Sequence, residues 1–71
     1  SNIIDFNNIS QVTLDKDYKI LLDALAFEPL AVDQLVHRTG LSADAVTSML
    51  LMLELENRIE SFPGGLYLRT L

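Results

Sequence analysis

The sequence predicts a mainly α-helical winged helix-turn-helix: a three-helix bundle plus a C-terminal β-hairpin wing. Three observations predict it. Three stretches of helical apolar periodicity follow one another between Leu14 and Asn57. A Gly turn at Gly40, followed by a Ser at the head of the next stretch, joins the second to the third. After Asn57 the apolar period drops from 3.6 to 2 on both sides of Pro63-Gly64-Gly65. Two helices joined by a short Gly-containing turn make a helix-turn-helix, and two short strands around a Gly turn make a hairpin.

Residues 1–13 come first and read as a linker or N-terminal arm. Ile3, Ile4, Phe6, Ile9 and Val12 are scattered there among Asn, Ser, Gln and Thr, and Ser1-Asn2 is set apart as a remnant foreign to the fold. The winged-helix domain is expected over residues 14–71. A compact domain that starts near Leu14 without a Met is expected to be a piece of a larger protein.

The first helix is expected to begin at Asp15, a good N-cap, with Asp17 on the favourable side of the helix dipole. Tyr18, Leu21, Leu22 and Leu25 follow i, i+3, i+4, i+7, and Ala24 and Phe27 extend that face. Glu28-Pro29 ends it, since the residue before a proline is pushed out of the α region. Pro29-Leu30-Ala31 reads as an extended connector. The second helix runs from about Val32 to Thr39 with Leu35 and Val36 inward, starts on a weak cap at Ala31, and stops at Gly40, which tolerates positive φ.

Ser42 is a strong N-cap for the third helix, which is expected to reach about Asn57. Val46, Met49, Leu50 and Leu53 form its inward stripe. Arg58-Ile59-Glu60-Ser61-Phe62 then alternates, with Ile59 inward and Phe62 a second candidate for the core. Leu66-Tyr67-Leu68-Arg69 is the return strand.

Composition narrows the function. The chain has 71 residues, 49% of them hydrophobic, 5 Lys+Arg against 10 Asp+Glu, and a formal net charge of −5. That length holds one small domain, which buries only about 60% of its unfolded surface. With no Cys and a single His, neither a disulfide nor a zinc site can staple it. No apolar run approaches the roughly 20 residues that span a bilayer, and nothing reads as a signal peptide. The expectation is a cytoplasmic protein with no membrane contact and no metal or other cofactor.

The residues also resemble a known family. Glu28-Pro29-Leu30, Asp33-Gln34-Leu35 and Arg38-Thr39-Gly40-Leu41 are similar to the C-terminal winged-helix domain of the DprA (Smf) family. So are Leu50-Leu51-Met52-Leu53-Glu54-Leu55-Glu56-Asn57-Arg58-Ile59 and the hairpin Phe62-Pro63-Gly64-Gly65-Leu66-Tyr67 with Arg69. The resemblance covers about Leu14 to Arg69. Asn57 stands where the family often has Gly, and Ala31 where it often has a capping Ser or Thr. The resemblance implies DNA processing in natural transformation. Whole proteins of this family bind incoming single-stranded DNA and help load the RecA recombinase onto it, through a Rossmann-like domain that precedes the winged helix.

No motif for catalysis emerges. His37, near the end of the second helix, has no nucleophile or carboxylate spaced to work with it. Glu54, Glu56 and Glu60 read as a solvated acidic face, because Glu54 and Glu56 project about 200° apart on a helix. The glycines of the Pro63-Gly64-Gly65 turn join strands instead of opening a helix, so they do not form a phosphate loop.

Partners are sought on the third helix, where a winged helix places its base contacts. Its outward face carries Asp44, Thr47, Ser48 and Leu51, with Glu54 at the margin, and no Lys or Arg lies between Ser42 and Asn57. Guanine edges and phosphates are held chiefly by Arg and Lys. The wing tip, Phe62 to Leu66, has no base either. The five bases read as scattered: Lys16 and Lys19, Arg38, and Arg58 and Arg69 at the hairpin base. Those last two are expected to face each other across the strands or to pair with Glu56 and Glu60.

Two placements are open for Leu51: exposed on the polar face, or packed under the hairpin or against the arm. Leu55 is expected to pack under the hairpin. The preferred function is a non-catalytic protein-interaction or self-association module using Asp44, Thr47, Ser48 and Leu51. The alternative is a duplex-DNA-binding winged helix, as in a transcription regulator.

Overall fold

The computed structural model describes residues 15–70. The expected arm over residues 1–13, and with it the domain boundary, lies outside the described residues. The elements in chain order are α1 (residues 15–24), β1 (Leu30–Ala31), α2 (Val32–Thr39), α3 (Ala43–Leu55), β2 (Ile59–Phe62) and β3 (Leu66–Arg69). The strands form one antiparallel sheet in the order β1-β3-β2. Three helices with a small sheet closing one side make a winged helix.

α1 ends earlier than its apolar pattern suggests. Asp15 is already helical, so the cap lies outside the described residues, and the helix stops at residue 24 instead of running to Glu28. Leu25 N–H donates to the Leu21 and Leu22 carbonyls, both at 3.2 Å, so the last turn tightens. The helical donor for the Leu25 carbonyl would be residue 29, but Pro29 has no N–H. Arg69 N–H fills that place from β3 at 3.0 Å. Phe27 therefore falls in the bend over residues 26–28 and is 95% exposed, not a continuation of the apolar face.

The connector Leu30–Ala31 is not a passive link. It pairs antiparallel with β3, Leu30 opposite Tyr67 and Ala31 opposite Leu66, and becomes the third strand. Ala31 then starts α2. Its side chain offers no capping oxygen, but Gln34 Oε1 reaches back and accepts from Ala31 N–H at 2.9 Å, the second half of a capping box. Gly40 ends α2 at φ 77°, its N–H donating to the Val36 carbonyl at 3.0 Å. The expected Ser42 cap is present: its Oγ accepts from Ala45 N–H at 3.1 Å.

α3 ends at Leu55, two residues before the expected Asn57. Asn57 takes a left-handed φ of 59°. Arg58 N–H donates to the Leu53 carbonyl at 2.9 Å and Asn57 N–H to the Glu54 carbonyl at 3.0 Å. That pair of bonds is a Schellman motif with Asn in the place usually taken by Gly. β2 follows, with Ile59 opposite Arg69 and Phe62 opposite Leu66. Ile59 is buried, so alternation puts Phe62, three residues on, on the outer face of the sheet with Leu66 and Leu68, and it is exposed. Phe62 is not a core residue.

Among the described residues the buried set is wholly apolar: Leu21, Leu22, Leu25, Leu30, Leu35, Val46, Met49, Leu50, Leu53 and Ile59. Tyr18, Val36, Leu41 and Tyr67 pack against it. The inward stripes read from α1, α2 and α3 all meet in this cluster.

Two stability predictions follow from this packing. Leu50→Ala or Leu53→Ala removes a side chain from a filled core and should cost about 2–5 kcal/mol. In a domain of this size that lowers the melting temperature by roughly 10 °C or more, read by circular dichroism. A smaller shift would mean that α3 is rotated from the position described. Asn57→Val puts a β-branched residue at positive φ and should cost about 1–2 kcal/mol, while Asn57→Gly should fold at least as well.

Candidate functional site

The four inward residues of α3 determine what faces outward. At 100° per residue, Val46, Met49, Leu50 and Leu53 centre on one side, and Asp44, Ser48, Leu51 and Leu55 fall within about 60° of one another on the opposite side. Leu51 is 59% exposed and Leu55 69%, with Met52 beside them at 46%. The expected site residues Asp44, Thr47, Ser48 and Leu51 are all exposed on one helix. Leu51 thus takes the exposed of its two placements relative to the hairpin.

Leu55 does not pack under the hairpin. It points away from the core stripe, while the chain turns back through Asn57 and buries Ile59 instead. The hairpin touches α3 along another line, where Ser61 Oγ donates to Glu54 Oε2 at 2.9 Å. Met52 lies at the edge of the outer face and was not singled out by the sequence. Its signal was present, since Met52 and Leu55 are three residues apart and Leu51 and Leu55 four, the spacings at which helical side chains meet. Thr47 faces out, but its hydroxyl donates to the Ala43 carbonyl at 2.7 Å within the helix. The result is an apolar cluster of three side chains at the C-terminal half of α3, with small polar residues and Asp44 at the N-terminal half.

The bases are arranged differently from the sequence reading. Lys19, Arg58 and Arg69 are not scattered. They line one groove of about 500 Å³ between α1 and the hairpin base, together with Asp15, Tyr18, Leu22, Asp23, Leu53 and Glu56. Arg58 and Arg69 do not sit opposite each other, because Ile59 is the cross-strand partner of Arg69. They do not pair with Glu56 or Glu60 either. The ion pairs among the described residues are Lys19–Asp23 at 3.1 Å and Arg38–Glu28 at 2.8 Å, both exposed. Such pairs add little stability. The groove meets α3 through Leu53 and Glu56, so its bases do not reach the outer face of that helix.

His37 is exposed on α2 beside Asp33, Gln34 and Arg38, around a shallow depression. Among the described residues no group of three or more His, Cys, Asp or Glu is placed to hold a metal ion, and no helix is long and apolar enough to cross a membrane.

A helix-turn-helix with a left-handed Gly turn, a Ser-capped third helix and a hairpin beside it defines the class: a winged-helix domain. The chain matches the DprA winged helix domain over residues 10–65, most of its length, and belongs to that family. The match runs through all three helices and β2 and stops within the wing turn. No curated protein matches the chain.

Because Leu51 and Leu55 lie outside the core, Leu51→Ser and Leu55→Ser should each change stability by no more than about 0.5 kcal/mol. Thermal melts of the two variants beside Leu50→Ala check this. A loss comparable to Leu50→Ala in either variant would place that leucine in the packing.

Proposed function

We propose that this chain is the non-catalytic interaction domain of a DprA-like DNA-processing protein and that it captures a protein through the outer face of α3. The observation that carries the reading is the composition of that face. Leu51, Met52 and Leu55 are exposed together, and no Lys or Arg lies between Ser42 and Asn57. An apolar centre with a polar rim excludes water from a contact and suits a protein partner. Phosphate recognition would need bases on the helix or the wing tip.

In this reading the whole protein acts in natural transformation in the cytoplasm. Its single-stranded DNA binding and RecA loading sit in a preceding domain, and this domain supplies a protein contact.

Two measurements test it. In fluorescence anisotropy at about 150 mM salt, duplex DNA should not bind the chain with sub-micromolar affinity, because α3 and the wing tip carry no cations and the bases of the α1 groove are interleaved with Asp15, Asp23 and Glu56, which leaves little counterion release. Sub-micromolar binding would favour the duplex-DNA reading instead. In the full-length protein, Leu51→Asp should leave the circular dichroism spectrum unchanged and weaken association with its partner or with itself in light scattering or pull-down. Unchanged association in the folded variant would take Leu51 out of the site.

A further inference from the structure

We infer that the occupant of the α3 outer face is one amphipathic helix of a different protein, carrying aliphatic anchors and flanking Lys or Arg residues, and not a second copy of this chain. The inference rests on the reading of that face as a protein contact and goes on to name the chemistry of the partner.

The shape follows from spacing. Asp44, Ser48, Leu51 and Leu55 are separated by four, three and four residues. That is the alternation of a heptad seam, in which one helix lies along another at a shallow angle of about 20° and inserts its side chains between those of its neighbour. Leu51 and Leu55 are the knobs of this seam, and Met52 flanks them. At the other end Ser48 is small and exposed, so a partner backbone can come close there. The seam is one helix wide. On one side it meets the hairpin line marked by the Glu54–Ser61 hydrogen bond. Three exposed apolar side chains on a single helix fall well short of the roughly 800 Å² per partner of a standard stable interface, so the contact is weak and transient.

Charge decides what the partner carries. Asp44 lies in the seam, Glu54 beside it, and no base of α3 answers either one. A second copy laid parallel would set Asp44 beside Asp44. Laid antiparallel, it would press Asp44 against Leu55. Each arrangement desolvates a carboxylate with no cation opposite, which is costly. A helix with a Lys or Arg facing Asp44, a second facing Glu54 and aliphatic residues against Leu51 and Leu55 meets every group on the face. Charges beside a heptad seam set partner choice and register, so the partner's cations lie about ten residues apart, one over Asp44 in the first turn of α3 and one over Glu54 in its last.

The test uses the isotopically labelled 71-residue chain and two helical peptides of equal length. Both carry aliphatic residues on one seam. One is flanked by Lys and the other by Glu. With the Lys peptide, the amide resonances of Asp44, Ser48, Leu51 and Leu55 should move on titration. The affinity should fall at least tenfold in Leu51→Asp, at least tenfold for the Glu peptide, and further as salt is raised. Leu55→Asp serves as a second variant if Leu51→Asp fails to fold.

Equal binding of the two peptides at this face would overturn the charge assignment while leaving a protein contact there. A face that is silent to both peptides would overturn the inference. So would a concentration-dependent dimer that Leu51→Asp abolishes, which assigns the face to a second copy. The underlying reading fails separately, if association of the full-length protein ignores Leu51→Asp.

Discussion

The rotational setting of α3 about its own axis governs the rest of the molecule. Val46, Met49, Leu50 and Leu53 repeat at i, i+3, i+4, i+7 and are all buried against leucines of α1 and α2. Turning the helix to bury Leu51 and Leu55 would expose those four. Each fully buried side chain of this kind contributes roughly 1.5–3 kcal/mol, so losing four to cover two is strongly unfavourable. The outer leucines are therefore held in water by the core beneath them. With no cysteine to form a disulfide and an apolar buried set among the described residues, the packing of these side chains is what a rotated helix would lose.

The sheet reinforces that setting from both ends. Pro29 leaves the Leu25 carbonyl without a helical donor, and Arg69 N–H takes it, which ties the last strand to the end of α1. At the other end the left-handed Asn57 turns the chain so that Ile59 enters the core. Thr70 closes the base, its N–H donating to the Arg58 carbonyl at 3.0 Å and its Oγ1 to the Asn57 carbonyl at 2.9 Å. With the hairpin held on this side, it cannot fold over Leu55. The exposed seam of α3 thus depends on backbone hydrogen bonds made elsewhere in the chain.

Much of this was legible in the residues themselves. Apolar periodicity located Leu21, Leu25, Leu35, Val46, Leu50 and Leu53 in the core, and Gly40 and Ser42 marked the turn between the last two helices. The errors have a common origin in long-range hydrogen bonding, which periodicity does not encode. Phe27 fits the α1 stripe, yet the chain leaves the helix at Leu25, whose carbonyl finds no helical donor at Pro29 and accepts from Arg69 N–H of β3 instead. Leu30–Ala31 is too short to read as a strand, and only pairing with β3 makes it one. Phe62 was a different kind of error, since strict alternation from Ile59 already places it outward. On the site, the wheel gave Asp44, Thr47, Ser48 and Leu51. The wheel alone does not place Leu55 relative to the hairpin, because the direction in which the chain leaves α3 is set by the left-handed Asn57 turn.

Charge separates this domain from the usual employment of its architecture. A winged helix that reads DNA concentrates cations where the third helix and wing meet the duplex. Here Lys19, Arg58 and Arg69 lie in the groove between α1 and the hairpin base, interleaved with Asp15, Asp23 and Glu56, and Arg38 is engaged by Glu28. Acids among the bases lower the local potential, so the groove does not replace the missing positive stripe. What α3 presents instead is two leucines and a methionine between carboxylates. The scaffold still holds one helix outward at a fixed rotation, as it would for a DNA groove. Under the proposed reading the residues on that helix favour apolar contact over phosphate recognition, since function follows the residues a scaffold presents and not the fold.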